Sequence, residues 1–158
     1  MKFQLISLIL MSAPLFVNAS TRFSDTTSAV AKQRIVNRLQ IKKISDLNFG
    51  EASPGDGPKQ VLAGVAENNE NASFEVSGEP NRMYQIVLPA DNSVMMINGG
   101  GGPNSEIKIK EFSSFPIRVG TLDTNGNGNI FVGATREAIS LKQKVGDYAG
   151  QFFVTVVY

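Results

Sequence analysis

Asp123, Asn125 and Asn127 stand at alternate positions ahead of Gly128 and Ile130, the spacing at which side-chain oxygens wrap a calcium ion. The second half of such a loop is missing: the twelfth position counted from Asp123 is Ala134, and Glu137 comes too late to supply the bidentate carboxylate. The same Asn and Gly residues are what a tight turn needs for positive φ, so the segment reads first as a turn. Ser105 and Lys108 have the SxxK spacing of penicillin-recognising serine enzymes. In a strand, however, residues three apart project to opposite faces. A carboxylate pair of the glycosidase kind needs neither His nor Cys, but the 14 acidic residues are scattered beside turns and apolar positions. The chain contains no His, no Cys and no Trp, which removes imidazole bases, thiolates, disulfides and most transition-metal ligand sets. Neither a catalytic residue nor a cofactor site is expected.

Three further features have plain readings. Lys32, Arg34, Arg38, Lys42 and Lys43 form a basic stripe if they share a strand, and such a stripe chiefly keeps an edge solvated. Asn71-Ala72-Ser73 fits a glycosylation sequon. Gly99 to Gly102 lacks the strand-to-helix setting of a phosphate cradle and reads as an open loop.

The elements that carry these residues follow an address segment. Lys2, the 15-residue apolar run Phe3 to Val17, and Val17-Asn18-Ala19 have the three regions of a secretory signal peptide, with cleavage between Ala19 and Ser20. The run is shorter than the roughly 20 residues that span a bilayer. Export to the periplasm, outer surface or medium is therefore expected, with no transmembrane segment in the mature chain. That chain would have 139 residues, 14 basic and 14 acidic, and no net charge to attract nucleic acid.

Residues 20–32 are rich in Ser, Thr and Ala and read as a mobile lead-in. Residues 33–158 read as one domain. Ile35, Leu39 and Ile41 alternate with Arg34, Arg38, Gln40 and Lys42, which predicts a first strand over 34–41; a helix over 29–41 is the rival. Alternation then predicts strands at 73–77, 83–88, 94–97, 107–110, 130–134 and 138–141, with Lys108 and Lys110 guarding an edge. A long final strand follows, with Phe152, Val154, Val156 and Tyr158 on one face. Roughly eight to ten short strands at this spacing predict an antiparallel β-sandwich of immunoglobulin-like, pilin-like type with Greek-key connections. Gly133 marks a bulge or a close approach. Gly146 serves a turn, and Tyr148 and Tyr158 cover the core ends with their hydroxyls in water.

The ordered blocks Asp46–Gly50, Ala72–Gly78, Tyr84–Pro89, Phe131–Thr135 and Gly146–Tyr158 resemble a bacterial exported family, the domain of unknown function numbered 4402. The resemblance runs from about Ile35 to Tyr158 and implies no chemistry. More distantly, the ending is similar to the C-terminal assembly strand of chaperone-usher pilins and spore coat U proteins, with Gly146 twelve residues before Tyr158. It departs from them in placing the tyrosine last rather than penultimate, in lacking a disulfide, and in having a poor donor pattern over 20–32.

The expected role is thus a non-enzymatic structural or surface subunit of a fibre, coat or envelope layer. It would join copies of itself or other subunits by β-strand complementation, through 152–158 and 34–41. The assembly residues would be Gly146, Tyr148, Phe152, Val154, Val156 and Tyr158. The alternative is a monomeric carbohydrate-binding module using the loops at 92–104 and 123–129. A carboxylate hydrolase is the third class, and it would require a cleft with two facing acids.

Overall fold

The computed structural model describes residues 24–158. The proposed signal peptide and its cleavage point lie outside the described residues. The chain divides into two units, Met1–Arg34 and Ile35–Tyr158. In the first, residues 24–34 form no strand or helix, and each is exposed.

The second unit is all β. Its strands are β1 (Gln40–Ser45), β2 (Lys59–Val61), β3 (Ala72–Ser77), β4 (Met83–Val87), β5 (Val94–Asn98), β6 (Glu106–Phe115), β7 (Val119–Thr121), β8 (Asn127–Arg136), β9 (Tyr148–Ala149) and β10 (Thr155–Val157). They form two antiparallel sheets. The seven-stranded sheet runs β1-β3-β8-β6-β5-β9, with β2 added against β8, and the three-stranded sheet runs β10-β4-β7. No helix among the described residues is long and apolar enough to cross a membrane.

Alternation places one face of each sheet on a shared core. Ala72 and Val76 of β3, Ile130 and Val132 of β8, Tyr84 and Ile86 of β4, and Leu122 make one buried cluster. Phe49, Val61, Val94, Ile109 and Ala134 make a second, and Leu47, Phe112 and Phe152 pack against both. Burying this much apolar surface is what holds a disulfide-free domain of this size together.

The long strand β8 is the spine. One edge pairs with β6, and the other is shared, with β3 covering Asn127–Val132 and β2 covering Ala134–Arg136. Gly133 sits at the handover, where an added Cβ would overlap the backbone of Val61, Leu62 and Ala63. The reading of Gly133 as a close approach is borne out. A bulge between Lys110 and Ser113, with Glu111 at a φ of 54°, shifts the parity of β6. Ile107 and Ile109 face the core before it, and Phe112 after it.

Several expectations need correction. No strand spans 34–41: pairing begins at Gln40, and residues 31–38 are exposed. Alternation suits an extended segment in water as well as a strand, and here no ladder forms among the described residues ahead of Gln40. The basic stripe breaks up accordingly, with Lys42 and Lys43 on β1 and Lys32, Arg34 and Arg38 ahead of it. Lys108 and Lys110 guard no edge, because β6 lies between β5 and β8. Residues 138–141 form no strand; Ile139 is buried while Leu141 is 83% exposed.

The final strand is also not one ladder. Tyr148–Ala149 extends the larger sheet against β5, residues 150–154 form no strand, and Thr155–Val157 joins the smaller sheet against β4. Gly150 makes the crossing possible, since a Cβ there would overlap the carbonyl of Met95. The alternation of the block nevertheless holds. Phe152, Val154 and Val156 pack on the core, and Phe153 is 78% exposed.

Candidate functional site

The C-terminal block lies where the two sheets meet. Cα atoms of β1 and β10 come within 8 Å of each other, yet no ladder joins the strands. Among the described residues β1 pairs only with β3, and β10 only with β4, so each presents unpaired N–H and C=O groups along this seam. The core beneath is incompletely covered. Leu39 and Ile41 on one side and Val154 and Val156 on the other are only partly buried, whereas Val76, Ile130 and Val132 have no exposure at all.

Phe152, in the segment ahead of β10, packs on two other rings. Phe152 meets Phe74 edge-to-face with centroids 6.5 Å apart and lies 5.3 Å from Phe112 at a tilt. Both distances fall in the favourable range for ring pairs. The end of the seam is tied by Tyr158. Its hydroxyl accepts from Glu79 N at 2.6 Å and donates to Asn37 O across 3.4 Å, while the Asn37 N–H donates to Glu79 Oε2 at 3.0 Å. The Arg82 guanidinium lies 3.9 Å above the Tyr158 ring centroid. Gly78 leaves the space that the hydroxyl occupies.

The Tyr148 and Tyr158 hydroxyls, expected in water, are instead bonded to protein. That of Tyr148 donates to Lys144 O at 2.6 Å and accepts from Gln143 Nε2 at 3.0 Å. Gly146 has a φ of 135°, and a Cβ there would press on the Asn98 amide. Gly146 and Tyr148 thus belong to the turn onto the larger sheet. Phe152, Val154, Val156 and Tyr158 line the seam.

The turn at Asp123 spends its carboxylate internally. Oδ1 accepts from Asn125 N at 2.8 Å and from Asn127 N at 2.9 Å, and Gly126 N bonds back to Asp123 O. Asp123, Asn125 and Asn127 lie together in this turn. Among the described residues, no group of three or more His, Cys, Asp or Glu side chains is placed to hold a metal ion.

The sequon residue Asn71 has no exposure. Its Nδ2 donates to Ala63 O and Ala66 O, and its Oδ1 accepts from Asn68 N. In the folded chain that amide plugs the 62–70 loop and is closed to modification.

One residue escaped the sequence reading. The inward row of β8 runs Ile130, Val132, Ala134 and then Arg136, a charge at a core-facing position with 5% exposure. Alternation continued two residues past Ala134 was the available signal. The predicted strand, 130–134, stops short of it.

A family model described as "Domain of unknown function (DUF4402)" matches residues 39–158. The chain belongs to the DUF4402 family. The match begins one residue before β1 and takes in every strand, both seam edges and the Tyr158 tie. No curated protein and no solved structure matches the chain.

Proposed function

We propose that this DUF4402 protein is an exported structural subunit of a fibre, coat or envelope layer that assembles by β-strand complementation. The domain is then an immunoglobulin-like, pilin-like sandwich with Greek-key connections, open between β1 and β10. The observation that carries the reading is this seam, with two unpaired strand edges side by side over half-covered Leu39, Ile41, Val154 and Val156. A strand laid between them would form main-chain bonds to both edges and bury those side chains. Strands pair at about 4.8 Å, so a guest bonded on both sides needs the edges about 9.6 Å apart. Insertion therefore requires the seam to open.

The donor is the segment ahead of β1 in a neighbouring copy. Residues 24–38 are exposed and form no ladder, and they include Val30 at 80% exposure and Ile35 at 89%. The donor enters head-to-tail, a heterologous contact that propagates rather than closing at two copies.

The test is the solution mass of residues 20–158 made in the periplasm, measured by light scattering after size exclusion. A ladder of multiples that disappears on deletion of 20–32 supports the reading. A single monomeric species with and without the deletion overturns it.

A further inference from the structure

The outer faces of the two sheets differ in chemistry. On the larger sheet the exposed positions carry charge: Lys42 stands opposite Glu75 across β1 and β3, and Lys108 lies on β6. On the smaller sheet the exposed residues of β4, β7 and β10 are Met83, Val87, Val119 and Val157 with one Gln and two Thr, and none is charged. Phe153 continues this face ahead of β10, and Ile117 continues it ahead of β7; both are 78% exposed. Together the six apolar side chains present roughly 600 Å² to water, the upper end of the largest patch on an ordinary monomer. Two such faces in contact bury about 1,200 Å², the lower limit for a stable protein interface.

The face also carries a projection and a recess. Phe153 stands two residues ahead of Thr155, which pairs with Val87, so it lies on the β10 side of β4 at the Val87 end. On the other side of β4, at the same end, β7 stops at Val119 and a groove of about 690 Å³ opens toward β6, walled by Val87, Leu88, Phe112, Ile117 and Val119. A two-fold axis along β4 exchanges its two sides, and so brings Phe153 of each copy to the groove of the other. Arg118 is the one charged residue among the described residues of the groove wall, and a guanidinium is attracted to the face of a ring. With no charge on the strands themselves, the face meets its own copy without like-charge repulsion.

We propose that the outer face of the smaller sheet is a two-fold interface with a second copy of this chain, Phe153 of each seated in the groove between β4 and β6 of the other. The contact leaves the β1–β10 edges free and stands whether or not the seam takes up a strand.

Sedimentation velocity over a concentration series tests it, on residues 20–158 and on the same chain lacking 20–32. The shortened chain forms a reversible dimer with a Kd in the micromolar range. Phe153→Ala weakens the dimer at least about thirtyfold, the loss of an aromatic anchor, and Val119→Lys does the same by setting like charges in the contact. Asn129→Lys, on the outer face of the larger sheet, leaves it unchanged. A dimer that survives the deletion with no larger multiples in either chain upholds the interface and refutes strand uptake, whereas multiples that fall to monomer on deletion refute the interface alone. Monomer persisting to about 1 mM overturns the proposal, and so does a monomer that floats with phosphatidylcholine vesicles, which gives the face to lipid. Equal weakening by Asn129→Lys, or none by Phe153→Ala, likewise overturns it. Should the variants fail to fold, the methyl resonances of Val87 and Val119 in the shortened wild-type chain decide: they shift with protein concentration, and resonances that stay put refute the interface.

Discussion

Replacing Tyr158 by Phe removes one oxygen from the end of the seam and leaves the ring under Arg82. The lost oxygen accepts the Glu79 N–H at 2.6 Å, while its own donation to Asn37 O spans 3.4 Å and contributes little. A net intramolecular hydrogen bond is worth about 1 kcal/mol. Tyr158 is 40% exposed, so water replaces part of what is lost and keeps the cost near that value. About 1 kcal/mol lowers Tm by roughly 3–5 °C in a domain of this size. If the tie closes the seam, the same energy raises the open population about fivefold. Urea unfolding reads the first effect, and amide exchange over 37–41 and 155–157 reads the second. In the assembly assay the variant forms multiples about fivefold faster, because seam opening precedes strand uptake. Unchanged stability together with unchanged exchange refutes the tie. Faster exchange with no gain in assembly rate refutes the step from seam opening to strand uptake.

Two other perturbations probe the interior and the Asp123 turn. Tyr84 is 1% exposed, its hydroxyl has no hydrogen-bond partner among the described residues, and burial raises its pKa above the ordinary 10.0. Tyr84→Phe is therefore as stable as the wild type or up to about 1 kcal/mol more stable at neutral pH. Above pH 10.0 the unfolded tyrosine ionises while the folded one stays neutral, so wild-type stability falls by up to about 1.4 kcal/mol per pH unit through this group. The variant lacks that loss, and parallel stability curves for the two proteins across this range would count against the burial argument. Asp123→Ala leaves the N–H groups of Asn125 and Asn127 without their acceptor and costs about 1–2 kcal/mol in urea unfolding. Calcium leaves the wild-type Tm unchanged, and a rise that Asp123→Ala abolishes would restore the turn as a cation site.

The all-β class and the inward faces of β3 and β4 were legible in the sequence, because period-two alternation at Phe74 and Val76 and at Tyr84 and Ile86 is itself the signature of a face buried against another layer. The apolar side of the C-terminal block was legible for the same reason. Only the tertiary structure decided which extended segments gain partners. Residues 34–39 carry the predicted alternation but form no ladder among the described residues, and 150–154 pass from one sheet to the other without a ladder. Bulges were hidden too, since one extra residue at Glu111 shifts parity without changing composition. The remaining features are products of long-range approach. Tyr158 meets Glu79 across 79 positions, and Arg136 reaches Gly57 across the same separation. Local pattern reports which face is apolar. Which edges remain open, and where a charge is left alone in the core, depends on contacts between residues far apart in the chain.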